Sequence, residues 1–221
     1  MNIKRKLSLQ VIAGFMASLL FVTAVNLFNQ NLLMQLSLSV RMVLMPLIYW
    51  SIAVIPLLIM ILTGDKPSDY GFIRKNIFRQ IIVGGVIGIV MSLFLTLLPI
   101  LFGKGEWVDN GHHYQYLWQF IFDFFYFIFA VGLVEEFIFR GFVYCKVNLI
   151  TGSKMASLLV SSLLFGLFHF FGGNLLQMLM TAVIGVIFCL CREKIKNCTL
   201  LSLMIAHGVY DAMITVWTSI L

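Results

Sequence analysis

Charge is what this sequence has least of. Of 221 residues, only 11% are Asp, Glu, Lys or Arg, where soluble domains carry about 25%. That scarcity leaves no room for a large soluble domain. Cysteine is also sparse, with Cys145, Cys189, Cys191 and Cys198 the whole complement. Cys189 and Cys191 have no second pair at metal-ligand spacing, which excludes a zinc site built from two such pairs. All four lie near segment ends assigned below to the cytoplasmic side, where thiols stay reduced; packing is their expected role.

Apolar residues fill the space. The chain is 61% hydrophobic, with a mean hydropathy of +1.01. This composition predicts an all-α, polytopic transmembrane bundle forming a single integral membrane domain over residues 1–221. The apolar runs give about seven spans: 9–28, 38–62, 81–102, 116–147, 155–171, 175–191 and 199–221. Lys4, Arg5 and Lys6 before the first run also fit a signal peptide, with Val22-Thr23-Ala24 as a cleavage site. The run is long enough to cross, and an uncleaved span is the favoured reading. Pro46 and Pro56 are expected to kink the second span. Gly84, Gly85 and Gly88 offer the third a face for close helix approach. Thr151 and Ser153 are candidate helix caps, and Gly172-Gly173-Asn174 reads as a tight turn.

The net charge of +6 is not a nucleic-acid footprint, because the basic residues are scattered among loops. The N-terminus, the 64–80 loop, the 146–154 turn and the 192–197 loop are basic, and the loops between them are not. The positive-inside rule puts the N-terminus in the cytoplasm and the C-terminus outside. The expected setting is a cell membrane.

Against this background Glu135-Glu136-x-x-x-Arg140 stands out in the fourth run. Ionisable groups near a bilayer centre cost roughly 2.5–3.5 kcal/mol each. Three uncompensated groups would cost on the order of 8–10 kcal/mol, comparable to a domain's net stability. They must be paired or face a polar interior. Glu136 and Arg140 share a helical face and can pair. Glu135 is rotated about 100° from Glu136 and is left as the free carboxylate. Asp123 lies about 18 Å of helix rise away, which makes it interfacial rather than catalytic. His112 and His113 sit in a polar loop and are expected to be solvated.

Depth arithmetic at 1.5 Å per residue sets Glu135 roughly 16 Å in from Lys146, and His169 roughly 22 Å in from Lys154. His207 and Asp211 lie roughly 14 and 20 Å in from Cys198. Three helices thus bring a Glu, a His and a His/Asp pair to a common depth, with Gly166 and Gly208 thinning the helix surfaces nearby. Singly, each residue reads as hydrogen-bonded packing; together they read as a site within 135–211. Three chemistries suit it. Glu135 with His169 could activate water while His207 stabilises an oxyanion. Glu135, His169 and His207 could hold zinc. The same groups could relay protons in a transporter. The zinc-protease motif His-Glu-x-x-His is missing, as are a buried Gly-x-Ser site, a Gly-x-Gly-Asp pair and a clear inverted repeat.

Glu135-Glu136-x-x-x-Arg140, Phe165-x-x-x-His169 and His207-x-x-x-Asp211, in this order on successive spans, resemble the three motifs of the CAAX protease and bacteriocin-processing (Abi) family. The resemblance covers the C-terminal half. It implies a metal-independent intramembrane endopeptidase acting on a membrane-associated peptide or protein, in peptide maturation or self-immunity. Glu135 and His169 would activate water, His207 and Asp211 would form the oxyanion hole, and Glu136 and Arg140 would support them. The family's last position is often Asn. An ionised Asp cannot donate to an oxyanion, so Asp211 is expected to orient His207. The resemblance leaves room for a zinc-dependent version and for a non-proteolytic immunity or scaffold protein that partners a membrane sensor or transporter.

Overall fold

The computed structural model describes residues 2–109, 111–170 and 173–221. Among them, six helices are long and apolar enough to cross a membrane: Ile3–Gln35, Leu38–Thr63, Ile77–Leu101, Leu117–Thr151, Leu175–Lys194 and Leu200–Ile220. A shorter apolar helix, Lys154–Phe168, takes fifth place in the order. The protein is a multi-pass helical membrane protein, with its helices in the anticipated sequence. The fifth is the exception in length. Its 15 residues rise about 23 Å, short of a hydrocarbon core about 30 Å thick. The expected span to residue 171 therefore ends early, and Phe171 and Gly172, the start of the anticipated tight turn, lie outside the described residues.

The ends sort as the charge pattern requires. At one end Lys146 bonds Asp65 at 2.7 Å, Tyr144 bonds Glu193 at 3.0 Å, and the Leu200 amide donates to the Gly71 carbonyl. The loops rich in basic residues therefore meet there. At the other end the Tyr114 amide donates to Ser219 Oγ at 2.9 Å, and His112 faces Asp123 at 3.2 Å. His113 lies 3.8 Å from Asp109, so both loop histidines stand beside acids. Positive-inside logic puts the first end in the cytoplasm.

The last helix, Leu200–Ile220, is the most deeply buried of the long helices and forms the axis of the bundle. Glycine governs how neighbours reach it. A Cβ at Gly84 would lie 2.4 Å from the Ser202 carbonyl, one at Gly88 2.6 Å from that of Ala206, and one at Gly132 2.5 Å from that of Met204. Gly85 faces open space, so two of the three glycines in the third span make the contact. The second span breaks at a 3-10 turn, Ser51–Ala53. Pro56 follows within the next turn, where its missing N–H costs the helix a bond. Pro46 sits inside a continuous helix, Leu38–Trp50. Ser153 caps the fifth helix by accepting from the Ala156 amide at 3.2 Å; Thr151 instead closes the helix before it.

The fourth span departs from ideal α geometry. Wide π turns run over Phe127–Gly132 and Phe137–Val143, with a single α turn, Leu133–Glu136, between them. Wide turns displace backbone carbonyls from the helical ladder. Three of these carbonyls take donors from other helices: Phe129 from Trp50 Nε1 at 2.9 Å, Phe139 from Ser161 Oγ at 2.8 Å, and Arg140 from Arg192 Nη1. No water is at hand in hydrocarbon, so these bonds tie the fourth span to the second, fifth and sixth.

Candidate active site

The two glutamates project from the short α turn between the π segments. Glu136 and Arg140 are both fully buried and pair at 2.9 Å. The guanidinium also lies 4.0 Å from the Phe165 ring centroid and 5.2 Å from that of Phe188, a favourable setting for a planar cation. Glu136 Oε1 has a second partner, His207 Nδ1 at 2.8 Å. That oxygen already accepts from Arg140, so His207 Nδ1 carries the proton and donates to it. The pair fixes the ring of His207 and leaves its Nε2 pointing at the neighbouring acid.

Glu135 is 2% exposed. Its Oε2 faces His169 Nε2 and His207 Nε2, each at 3.7 Å, and has no hydrogen-bond donor among the described residues. Asp211 Oδ2 lies 3.4 Å from His207 Nε2, one helical turn along the same face. His169 is the C-cap of the fifth helix, not an interior residue. Its Nδ1 sits 3.0 Å from the Phe165 carbonyl. A carbonyl can only accept, so Nδ1 bears a proton, and in that tautomer the lone pair is at Nε2. The side chains of His169 and Asp211 are 25% and 22% exposed, so the cluster opens on their side.

Thus Glu135, His169, His207 and Asp211 come together, with Glu136 and Arg140 bracing His207 from behind. Asp123 instead pairs with His112 at 3.2 Å. Around Glu135, two edge-to-face contacts orient the imidazole of His169: its centroid is 4.9 Å from Phe165 and 5.5 Å from Phe168. A cleft of about 310 Å³, lined in part by Arg41, Met45, Phe122 and Asp123, begins one helical turn beyond Tyr49 and Tyr126. Among the described residues, no three His, Cys, Asp or Glu side chains are grouped so as to hold a metal ion.

One site residue escaped the sequence. Tyr49, in the second span, donates its hydroxyl to Glu135 Oε1. The available signal was a Tyr-Trp-Ser triplet in an otherwise aliphatic run, but nothing in that triplet names a partner 86 positions away.

No curated protein and no solved structure matches the chain. Residues 117–213 match the family model described as Rce1-like, type II CAAX prenyl endopeptidase. All seven residues named in the three motifs fall inside the match. The segment that carries this site is therefore similar to the Rce1-like family, in keeping with the resemblance of the three motifs.

Proposed function

We propose that this protein is an intramembrane endopeptidase in which Glu135 activates water for attack on a peptide bond. The observation that carries this reading is the donor-free Oε2 of a buried glutamate, flanked by two imidazoles and held apart from Arg140, which is engaged by Glu136.

Water bound between Glu135 Oε2 and His169 Nε2 would lose a proton to the carboxylate as its oxygen attacks the carbonyl carbon. The carbonyl oxygen becomes an oxyanion, and His207 Nε2–H is the donor in position to stabilise it. That role requires both ring nitrogens of His207 to be protonated, and Glu136, Asp211 and Glu135 surround the ring with negative charge. Glu135 then passes its proton to the leaving nitrogen as the carbon–nitrogen bond breaks. Asp211 acts on the orientation of His207. A zinc-dependent version would use Glu135, His169 and His207 as ligands; it has less support, because Glu135 Oε1 is already engaged by Tyr49.

The substrate is proposed to be a membrane-associated peptide or protein, since both acid and bases lie within a hydrocarbon-embedded bundle. Peptide maturation or bacteriocin self-immunity at a bacterial plasma membrane is the biological setting we favour. The alternative is a non-proteolytic immunity or scaffold protein working through a membrane sensor. Cells expressing wild type or Glu135→Gln at matched membrane abundance separate the two. Peptides released only by wild type, with about a 10²–10⁴-fold fall in the variant, are the expected result. Identical peptide profiles, with any immunity phenotype intact, would overturn the protease reading. Repeating the assay with a chelator tests zinc.

A further inference from the structure

The N-terminal half supplies a side chain to this site, from outside the segment 117–213. Tyr49 lies in the last turn of Leu38–Trp50, directly before the 3-10 break. That break is tied on three sides. Ser18 Oγ of the first span donates to the Ile52 carbonyl at 2.9 Å. Ser51 Oγ closes on the Ile48 carbonyl at 2.6 Å. Trp50 Nε1 reaches the Phe129 carbonyl of the fourth span at 2.9 Å. The Tyr49 ring packs edge-to-face on Tyr126, centroids 6.2 Å apart. Its hydroxyl is therefore held by bonds to two other spans, and it meets one oxygen of Glu135.

A carboxylate turns easily about its last torsion, which has a broad, two-fold profile. Left alone, Glu135 could present either oxygen, or neither, to the histidines. A donor fixed on Oε1 removes that freedom. We propose that Tyr49 is a positioning residue for the hydrolysis: by occupying Glu135 Oε1 it commits Oε2 to His169, His207 and the attacking water. The proposal rests on Glu135 being the base. In a low-dielectric site a hydrogen bond to an ionised oxygen is stronger than a neutral one, which suits a fixed donor better than a mobile water. It also makes the N-terminal spans part of the active site.

The test uses the purified full chain in lipid nanodiscs and a synthetic copy of the peptide substrate identified by the Glu135→Gln comparison. Tyr49→Phe keeps the ring and its contact with Tyr126 while deleting the hydroxyl. Tyr49→Leu deletes both. Turnover at saturating substrate should fall about tenfold to hundredfold in Tyr49→Phe, with KM and the thermal unfolding midpoint as in wild type. A packing role predicts the opposite order: Tyr49→Phe at the wild-type rate and only Tyr49→Leu slowed, which would overturn the assignment. A Tyr49→Phe protein that loses activity only in step with its folded fraction would overturn it equally. A wild type that yields no Glu135-dependent peptide would remove the protease reading, and this inference with it; normal wild-type cleavage with an unaffected Tyr49→Phe removes the inference alone.

Discussion

Asp65 and Glu135 are both carboxylates set into a hydrocarbon bundle, and their surroundings differ in kind. At the basic end, Asp65 Oδ2 receives Lys146 Nζ at 2.7 Å and the hydroxyls of Thr63 and Tyr70, both at 2.6 Å. Burial pushes the Asp65 carboxyl up, but the hydrogen bonds from Lys146, Thr63 and Tyr70 outweigh it and hold it down at about 2. Glu135 has one oxygen on Tyr49 and the other facing two imidazoles with no donor. Asp65 is a finished structural knot, whereas Glu135 is an incomplete one. The two differ in exposure and in donors: the Asp65 side chain is 31% exposed and fully engaged, whereas Glu135 is 2% exposed with one oxygen lacking a donor among the described residues. That open acceptor, aimed at two imidazoles, is what singles out Glu135 for the role proposed above.

Glu136 stands between these two cases, and it offers the largest test. Its partner Arg140 is 0% exposed, so Arg140→Met strands a carboxylate. Breaking a buried pair costs about 3–5 kcal/mol. The expected outcome is a marked fall in folded protein by detergent-resistance or thermal-shift assay. Glu136→Gln combined with Arg140→Met should recover most of it, because two neutral side chains of similar volume leave no stranded charge. If the single variant folds normally, the pair is not a brace and the contrast with Asp65 weakens.

A smaller effect is expected at Asp65, which reaches water at the membrane surface. Asp65→Asn leaves the buried Lys146 ammonium with a poorer acceptor and should cost about 1–3 kcal/mol. The pH dependence has a definite sign. The folded carboxyl titrates below its ordinary 3.8, so its contribution is full above that value and is lost as pH falls through about 2. The stability gap between wild type and Asp65→Asn should therefore shrink on acidification below about pH 4. A gap that stays constant from neutral pH to about pH 2 would separate Asp65 from the charge of Lys146.

The smallest effect is predicted at Asp211. Asp211→Asn keeps an acceptor 3.4 Å from His207 Nε2 and should hold activity within a few-fold of wild type at equal abundance. Complete loss would mean that the negative charge itself is needed, and the role assigned to Asp211 would have to change.

Much of this was legible because hydrocarbon is an exacting solvent. Glu135, Glu136 and Arg140 stood out where any charge is costly. Helix rise alone brought His169, His207 and Asp211 to their depth, and Gly84 and Gly88 announced a close helix contact. Other features were not legible. Periodicity assumes a constant turn, so the widened turns at Phe127–Gly132 and Phe137–Val143 left no trace in it. The Tyr49–Glu135 and Lys146–Asp65 bonds join residues from distant spans, and pairings of that kind depend on how helices rotate against each other. Gly85 looks like Gly84 in sequence; only packing tells them apart.

Those widened turns have a consequence for how the chain can vary. A π turn takes up one residue more than an α turn, and here the surplus sets which way the glutamates face. Removing one residue from 137–143 would let that segment close as ordinary α turns. The carbonyls of Phe139 and Arg140 would be drawn back into the helical ladder and away from Ser161 and Arg192. The fourth span can therefore exchange side chains on its lipid-facing surface freely, but its length is under constraint: substitutions there are read one at a time, whereas a deletion is read by every helix that touches it.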